Sequence, residues 1–286
     1  MTTDDNLPSA PDVAAVHRQL LAIPGQLGIA YSGGVDSATL CALAVQALGP
    51  DRVVALLGVS PSLAADERRI AHEVAAQIGV RVREVVTHEG DNPAYVANDV
   101  DRCFHCKDEL FTRISDELVD ELELGAVAYG ENADDVLRPD RPGAQAATQH
   151  QVLRPLADAG ITKARVRELA RELGLSVADK PAAPCLASRI PHGEAVTPEK
   201  LRQVDEAESA VRRAGFSDGR VRHHGSIARI ELPVPELGRL ADDELRNRLL
   251  ADVRGVGFAH VTIDLAGIQS GQFTMQILSR REVSDD

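Results

Sequence analysis

The sequence predicts an α/β protein: a parallel sheet flanked by helices over residues 1–178, an active-site loop and linker over 179–196, and a smaller C-terminal α+β unit over 197–286. Three observations carry that prediction. Apolar strand runs alternate with helical periodicities from Leu27 to Tyr129. The stretch Ala178 to Pro191 holds three prolines and little periodicity, as a linker or active-site loop does. A helix with complete start and stop signals then opens a new unit at Thr197.

The first strand is the run Leu27-Gly28-Ile29-Ala30, and Leu40, Leu43, Ala44, Ala47 and Leu48 give the helix that follows its turn. Next come a strand from Val53 to Leu57, a helix carrying Ile70, Val74, Ala75 and Ile78, and a strand from Val82 to Val86. A helix from about Phe104 to Leu124 leads to a strand from Ala126 to Tyr129, and another helix runs from a Thr162 cap to Gly174. Strands that alternate with helices imply a parallel sheet with ligands at the strand C-termini. In the second unit Thr197 is an N-cap, Pro198 sits at the first helical position, Leu201, Val204, Ala207 and Val211 form one face, and Gly215 ends the helix. Strands Arg220 to His223 and Ile227 to Leu232, a helix near Asp242 to Leu250 and a strand Val261 to Leu265 complete it. There is no internal repeat, and residues 2–12 and 283–286 read as mobile ends.

Composition narrows the class. The chain has 286 residues, a net charge of -13, no Trp and few other aromatics. That balance argues against a broad nucleic-acid footprint, which needs clustered Lys and Arg, and against base-stacking platforms. No apolar run is long enough to span a bilayer, and the opening Met-Thr-Thr-Asp-Asp-Asn lacks the basic region of a secretory signal, so the expectation is a cytoplasmic protein. Four cysteines in such a chain suggest thiol or metal chemistry rather than a disulfide scaffold.

The turn after the first strand reads Tyr31-Ser32-Gly33-Gly34-Val35-Asp36-Ser37. A strand, a tight turn and a helix start let Ser32, Gly33, Gly34, Asp36 and Ser37 present N–H groups and two hydroxyls at the positive end of a helix dipole, a site for pyrophosphate. The Walker A pattern is missing, so an ordinary NTPase is not indicated. The stretch resembles the SGGxDS loop of the PP-loop ATP pyrophosphatases, whose fold is adenine nucleotide alpha hydrolase-like and which cleave ATP to AMP and pyrophosphate while activating a substrate carbonyl. Asn132 and Asp135, at a strand C-terminus, suit either an assisting role toward ATP or magnesium or a plain polar turn.

Cys103 and Cys106 form a C-x-x-C where a helix begins, with Arg102 and Lys107 beside them; Cys185 lies in Pro-Cys-Leu-Ala-Ser-Arg-Ile-Pro near Arg189. Helix N-termini and neighbouring cations favour the thiolate as nucleophile or ligand. Cys41, beside Leu40 and Leu43, reads as a small buried apolar residue.

With these motifs the chain resembles the LarE family of ATP-dependent sulfur transferases, which make the nickel-pincer nucleotide cofactor. Further matching stretches are Gly130-Glu131-Asn132-Ala133-Asp134-Asp135, Arg141-Pro142-Gly143 and Val221-Arg222-His223-His224-Gly225-Ser226-Ile227-Ala228-Arg229-Ile230-Glu231-Leu232-Pro233. The resemblance implies adenylation of a carboxylate of a pyridinium dicarboxylate mononucleotide by ATP with Mg2+, Asp36 and Ser37 acting at the phosphates. It further implies sulfur transfer at Cys185, either from a sulfide on a [4Fe-4S] cluster held by Cys103, Cys106 and Cys185 or by sacrifice of Cys185 to dehydroalanine. The residues alone also leave room for a zinc site with His105 or His192, a Cys103–Cys106 disulfide or an inert pair. Ser188, Arg220 and Arg222 match the family's substrate-phosphate site; without a ligand the two arginines are an exposed basic strand face. Glu208 and Glu231 match two members of a carboxylate cluster that holds a metal in the family. Arg239 stands where the third is expected, so exposed helix and strand carboxylates are the plainer reading. His223 and His224, adjacent on a strand, face opposite sides.

The implied partners are a small nucleotide and a sulfide or other sulfur donor, in a homo-oligomer, with no tRNA and no membrane. A PP-loop tRNA thiolase would bring a basic or zinc-ribbon module, and none is visible; an amidotransferase-type synthetase would need an ammonia source. The nonenzymatic alternative is an iron–sulfur or nucleotide-sensing protein.

Overall fold

In the computed structural model, which describes residues 8–137 and 142–269, the chain divides into two units. One is Met1–Glu89 with Cys103–Ala183, the other Gly90–Arg102 with Pro184–Asp286. The insertion Gly90–Arg102, which the sequence pattern placed in the first unit, belongs with the C-terminal part. Of the ends expected to be mobile, residues 2–7 and 283–286 lie outside the described residues, as does Arg141 of the matching stretch.

The first unit opens on helix α1 (Pro11–Leu21), which the sequence reading left unassigned. Its Val13, Val16 and Leu20 are buried, and Asp12 pairs with Arg165 at 2.8 Å, so Pro11 and Asp12 are ordered helix rather than a loose end. Strand β1 (Gln26–Tyr31), helix α2 (Val35–Leu48), strand β2 (Val53–Val59), helix α3 (Ala65–Ile78) and strand β3 (Arg81–Val86) follow in the expected order. The short helix α4 (Pro93–Val96) lies in the insertion, and helix α5 (Arg102–Arg113) starts at its last residue.

The single long helix expected from Phe104 to Leu124 is not continuous. It passes at Ile114–Leu118 into a wider π turn, and Glu123, at φ 51°, ends it directly before strand β4 (Leu124–Tyr129). Helices α6 (Ala133–Val136), α7 (Pro142–Gln149), α8 (Pro155–Asp158) and α9 (Lys163–Glu172) complete this unit, the last capped by the Thr162 side chain on Arg165 N.

All strand pairs of the four-stranded sheet are parallel, in the order β3-β2-β1-β4. Period-two alternation shows in β2, where Val53, Ala55 and Leu57 pack with α1, α2 and α9 while Val54 and Leu56 pack with Phe111, Ile114 and Leu118. Burial on both faces is what a parallel sheet between helix layers requires. Because β2 and β4 lie on opposite sides of β1, the chain reverses its winding there, and the C-terminal ends of β1 and β4 flank a topological switch point.

In the second unit helix α10 (Pro198–Arg213) carries the Thr197 cap, with Pro198 first in the helix and Gly215 at φ 84° beyond its end, as the sequence indicates. Strands β5 (Arg220–His224) and β6 (Ile227–Glu231) pair antiparallel through a turn at Gly225, φ 62°. After helix α11 (Asp243–Gly255), strand β7 (His260–Ile263) joins β6 in parallel. Val221, Ala228 and Ile230 pack against Ala207, Val211, Leu249 and Val253 of the two helices. The alternate residues Arg220, Arg222, Arg229 and Glu231 therefore share the other face of the sheet. Among the described residues no helix is long and apolar enough to cross a membrane.

Each unit buries one histidine. Desolvation lowers the pKa of His17, and for His223 desolvation followed by the charge of Lys200 does the same. A folded-state pKa below the ordinary value of about 6.5 means that the unfolded chain takes up the proton first, so stability is lost as pH falls below about 6.5. Urea-unfolding midpoints will drop between pH 7.5 and 5.5. Substituting His17→Gln and His223→Gln together will weaken that dependence and leave the part due to His224, whose pKa desolvation, then the charge of Arg229, also lowers.

Candidate functional site

Two arrangements of functional side chains stand out, one in each unit. In the first, the Ser32–Ser37 turn joins β1 to α2 at the switch point. Gly33 takes φ 71°, and a Cβ there would meet Ala71 Cα and Cβ at 2.7 Å, so the turn needs glycine for conformation and for room. The Ser37 hydroxyl donates to Gly34 O at 3.1 Å and accepts from Ser32 N at 3.2 Å, which closes the turn on itself. The first N–H groups of α2 face out of its N-terminus, where an anion is favoured.

The end of β4 comes up beside that turn. A Cβ on Gly130 would lie 2.7 Å from Ser37 N, so only glycine permits this approach. Two residues later Asn132 caps α6 with its carbonyl oxygen, and its Nδ2 donates to Asp36 Oδ1 at 3.1 Å and to Asp135 Oδ2 at 2.8 Å. Asp36 also forms an ion pair with Lys163 Nζ. Lys163 is the first residue of α9, and its N–H donates to Asp134 Oδ2 at 2.8 Å. The structure thus brings Ser32, Gly33, Gly34, Asp36, Ser37, Asn132 and Asp135 together, as the motif reading expected. It adds Lys163, whose only sequence signal is its place directly after the Thr162 cap.

Two carboxylates and an ammonium group at a phosphate-shaped turn suit a nucleotide with its magnesium. Mg2+ is usually held by one or two carboxylates plus phosphate oxygens, and Asp36 and Asp135 present such donors.

In the second unit, Leu186–Arg189 forms a 3-10 turn with Cys185 as its N-cap residue, exposed at the surface. Arg189 is buried inside it. Its Nε donates to Glu208 Oε1 at 2.8 Å, and its Nη1 donates to Pro184 O at 3.0 Å and to Ser188 Oγ at 2.8 Å. Burial opposes the charge on Arg189, but the Glu208 carboxylate, with a smaller contribution from Cys185, raises its pKa. Arg222 grips both oxygens of Glu231 at 2.9 Å and donates through Nη1 to Ser188 O at 3.0 Å. Arg220 sits close to these two cations: burial first, then Arg189 and Arg222, lowers its pKa.

Three expectations change here. Arg220 and Arg222 are not an exposed basic face, since each is only 4% accessible. Nor are Glu208 and Glu231 exposed, because the arginine cluster buries them as counter-ions at 3% and 0% accessibility. Glu208 Oε1 also accepts from Val221 N at 3.0 Å, and Glu231 pairs in addition with Arg229 at 3.5 Å. With their lone pairs so engaged, the two carboxylates do not fit an accessory metal. Arg239, in the place of a third carboxylate, instead caps α10 by donating to Gly215 O at 2.7 Å and lies 4.5 Å over the Phe216 ring.

The cysteines divide between the units. Cys41 is fully buried on α2 and desolvation pushes its thiol pKa up, as a core residue's should be. Cys103 is exposed and Cys106 half-buried, one turn apart on α5. Among the described residues no group of three or more His, Cys, Asp or Glu side chains is placed to hold a metal ion. Cys103 and Cys106 belong to one unit and Cys185 to the other, so the three-thiolate set expected for a [4Fe-4S] cluster and a zinc set with His105 or His192 stay expectations from the sequence, and no step is built on either.

A family model described as asparagine synthase matches residues 13–118, the stretch that carries the Ser32–Ser37 turn. The chain is 43% identical over 244 residues to an uncharacterized protein of Synechocystis sp., covering 85% of this chain and 90% of that protein. It is 32% identical over 248 residues to pyridinium-3,5-bisthiocarboxylic acid mononucleotide synthase of Lactiplantibacillus plantarum, covering 85% and 87%. A glutamine-hydrolyzing GMP synthase chain of Methanopyrus kandleri is 30% identical over 196 residues, covering 64% of this chain and 61% of that one. With the nucleotide turn in place and near full-length similarity to the L. plantarum enzyme, the chain belongs to the LarE family of ATP-dependent sulfur transferases, enzymes built on the PP-loop fold.

Proposed function

We propose that the protein adenylates a carboxylate of pyridinium-3,5-biscarboxylic acid mononucleotide with ATP and converts it to a thiocarboxylate. The observation that carries this reading is the Ser32–Ser37 turn with Asp36 tied to both Asn132 and Lys163. A second support is the relative whose name states the bisthiocarboxylic product.

A carboxylate is a poor electrophile, so its oxygen first attacks the α-phosphorus of ATP and pyrophosphate leaves. The N–H groups of the Ser32–Ser37 turn hold the departing phosphates, and Lys163 offsets their charge. Magnesium, when bound at Asp36 and Asp135, neutralises phosphate oxygens. Asn132 orients both carboxylates through one amide, so neither has to reorganise when ATP arrives. The substrate's own phosphate is a dianion that the Arg220 guanidinium would meet beside Ser188, and Arg222 would join only by giving up its grip on Glu231.

Sulfur then attacks the acyl carbon and AMP leaves. With hydrosulfide as nucleophile the products are the thiocarboxylate, AMP and a proton. With Cys185 Sγ as nucleophile a thioester forms; loss of the Cys185 Hα proton and cleavage of its Cβ–Sγ bond release the thiocarboxylate and leave dehydroalanine. Both routes balance without an oxidant. Mass spectrometry of the protein and the nucleotide after one turnover tests the whole reading and separates the routes: the mononucleotide gains the mass difference of sulfur for oxygen, and Cys185 either keeps its mass or loses the mass of hydrogen sulfide. Turnover of tRNA instead would make the chain a tRNA thiolase, and absence of any ATP-dependent product would leave a nucleotide sensor. Iron retained after anaerobic reconstitution, and lost in each of C103A, C106A and C185A, would identify a cluster as the sulfide carrier.

Asp36→Asn and Lys163→Met will each slow pyrophosphate release at least about a hundredfold, on the order of 2.7 kcal/mol of transition-state stabilisation. Their unfolding midpoints will change little, since a half-exposed pair contributes at most about 1 kcal/mol to stability. For the phosphate clamp, Arg220→Ala is the cleaner probe, because Arg222→Ala would strand the buried Glu231 carboxylate and cost about 3 to 5 kcal/mol of stability. Calorimetric titration of Arg220→Ala will show mononucleotide binding weakened by about 1.5 to 3 kcal/mol with ATP binding unchanged. A Cys185→Ala protein will still release pyrophosphate and AMP, and will form thiocarboxylate only when hydrosulfide is supplied.

A further inference from the structure

The loop that carries Cys185 is held from one side by Asn98, which no motif marks, and by Arg102, which the sequence marked only as a cation beside the C-x-x-C. Asn98 is fully buried and takes φ 58°, a left-handed conformation that Asn tolerates better than most residues. Its Nδ2 donates to Ile190 O at 3.3 Å, Pro191 O at 2.8 Å and Glu194 O at 2.9 Å. Its backbone carbonyl accepts from His192 Nδ1 at 2.9 Å and Gly193 N at 3.3 Å. Its Oδ1 accepts from Arg102 Nη1, which also donates to Ala187 O at 3.0 Å. Arg102 is itself buried, at 6% accessibility.

The acceptors at 187, 190, 191 and 194 lie outside any strand ladder, in a segment broken by Pro184 and Pro191. A buried carbonyl without a partner costs on the order of 1 to 3 kcal/mol, so the Asn98–Arg102 pair fixes where this segment can lie. From the other direction Arg189 holds Pro184 O and Arg222 holds Ser188 O. Between these attachments the turn is short, with Ser188 N donating to Cys185 O at 2.9 Å, and the thiol at its head is exposed. The bonds thus constrain the peptide units around a reactive atom rather than a stretch of apolar core.

We propose that Asn98 and Arg102 are positioning residues for sulfur transfer: they set the placement of the Cys185–Ser188 turn so that sulfur meets the acyl-adenylate before water does. This rests on the adenylation reading above. When the turn is displaced, water attacks the same acyl carbon, the bond to AMP breaks, and the free carboxylate is regenerated with AMP and two protons. Loosening the pair therefore uncouples the reaction rather than stopping it.

The readout is thiocarboxylate formed per AMP released in a single turnover, a ratio that does not depend on how much of the protein is folded. Asn98→Gly keeps the left-handed backbone while removing the amide, and Arg102→Met removes the guanidinium at similar length. In both the ratio will fall about tenfold or more while the AMP rate stays within twofold of the unaltered protein. Arg102→Lys, which retains a cationic donor, will recover part of it. Backbone amide exchange over 186–194 will quicken in Asn98→Gly and Arg102→Met, with α10 unchanged. An unaltered ratio in the folded variants overturns the proposal, as does unchanged exchange over 186–194. If the unaltered protein makes no AMP with the mononucleotide, the adenylation reading fails instead, and the exchange measurement alone decides whether Asn98 and Arg102 place the turn.

Discussion

The nucleotide site depends on one close approach, that of Gly130 at the end of β4 to the start of α2. With 2.7 Å between a hypothetical Cβ and Ser37 N, no other residue lets the strand end run so close. From that approach the rest follows. Asn132, two residues on, reaches Asp36; its capping of α6 places Asp135 and Asp134; and Asp134 takes the first N–H of α9, which directs Lys163 back to Asp36. A parallel sheet supplies the frame, because neighbouring strands end on the same side and each hands its loop to the same edge.

The second unit meets the opposite problem, which is keeping several cations buried without a permanent ligand. Glu208 and Glu231 offset Arg189 and Arg222, and the lowered pKa of Arg220 records the like charges left around it. Burying an ion pair gains little net stability, whereas breaking one costs several kcal/mol. The glutamates are better understood as the counter-ions that make a buried arginine cluster tolerable than as stabilising contacts. That also explains why carboxylates in a family metal position need not hold a metal here: with Arg239 capping α10, the guanidinium groups have taken their lone pairs.

How far the sequence revealed all this depended on whether the signal was local. The Ser32–Ser37 turn, the Thr197–Pro198 start of α10 and the alternation of β2 rest on contacts within a few residues, and they were legible. Helix α1 was not, although Pro11 at its first position, Asp12 in its first turn and the face of Val13, Val16 and Leu20 are local signals, because the polar opening residues read as one loose end. The π turn after Arg113 was hidden because a helical period continues through it. Burial of Arg220, Arg222, Glu208 and Glu231 was misjudged for a related reason: charged residues default to the surface in a sequence reading, and only partners far along the chain reverse that. Lys163 and Asn98 went unmarked, and Arg102 was read only as a cation beside the C-x-x-C, because their partners are groups that no spacing rule connects.

An acidic chain that uses ATP needs a physical account as well. The net charge of -13 is the excess of 44 Asp and Glu over 31 Lys and Arg, and water and salt screen such charges at the surface within about 8 Å. At that range the overall charge neither attracts nor strongly repels a nucleotide. The cationic groups are local: a helix N-terminus with Lys163 in one unit, and buried guanidinium groups, two of them paired with glutamates, in the other. An anion held at either place is bound by a few short, directional, charge-assisted contacts. The acidic surface and the buried arginines are in this sense two parts of one selectivity, the first withholding a broad electrostatic footprint and the second offering a narrow one.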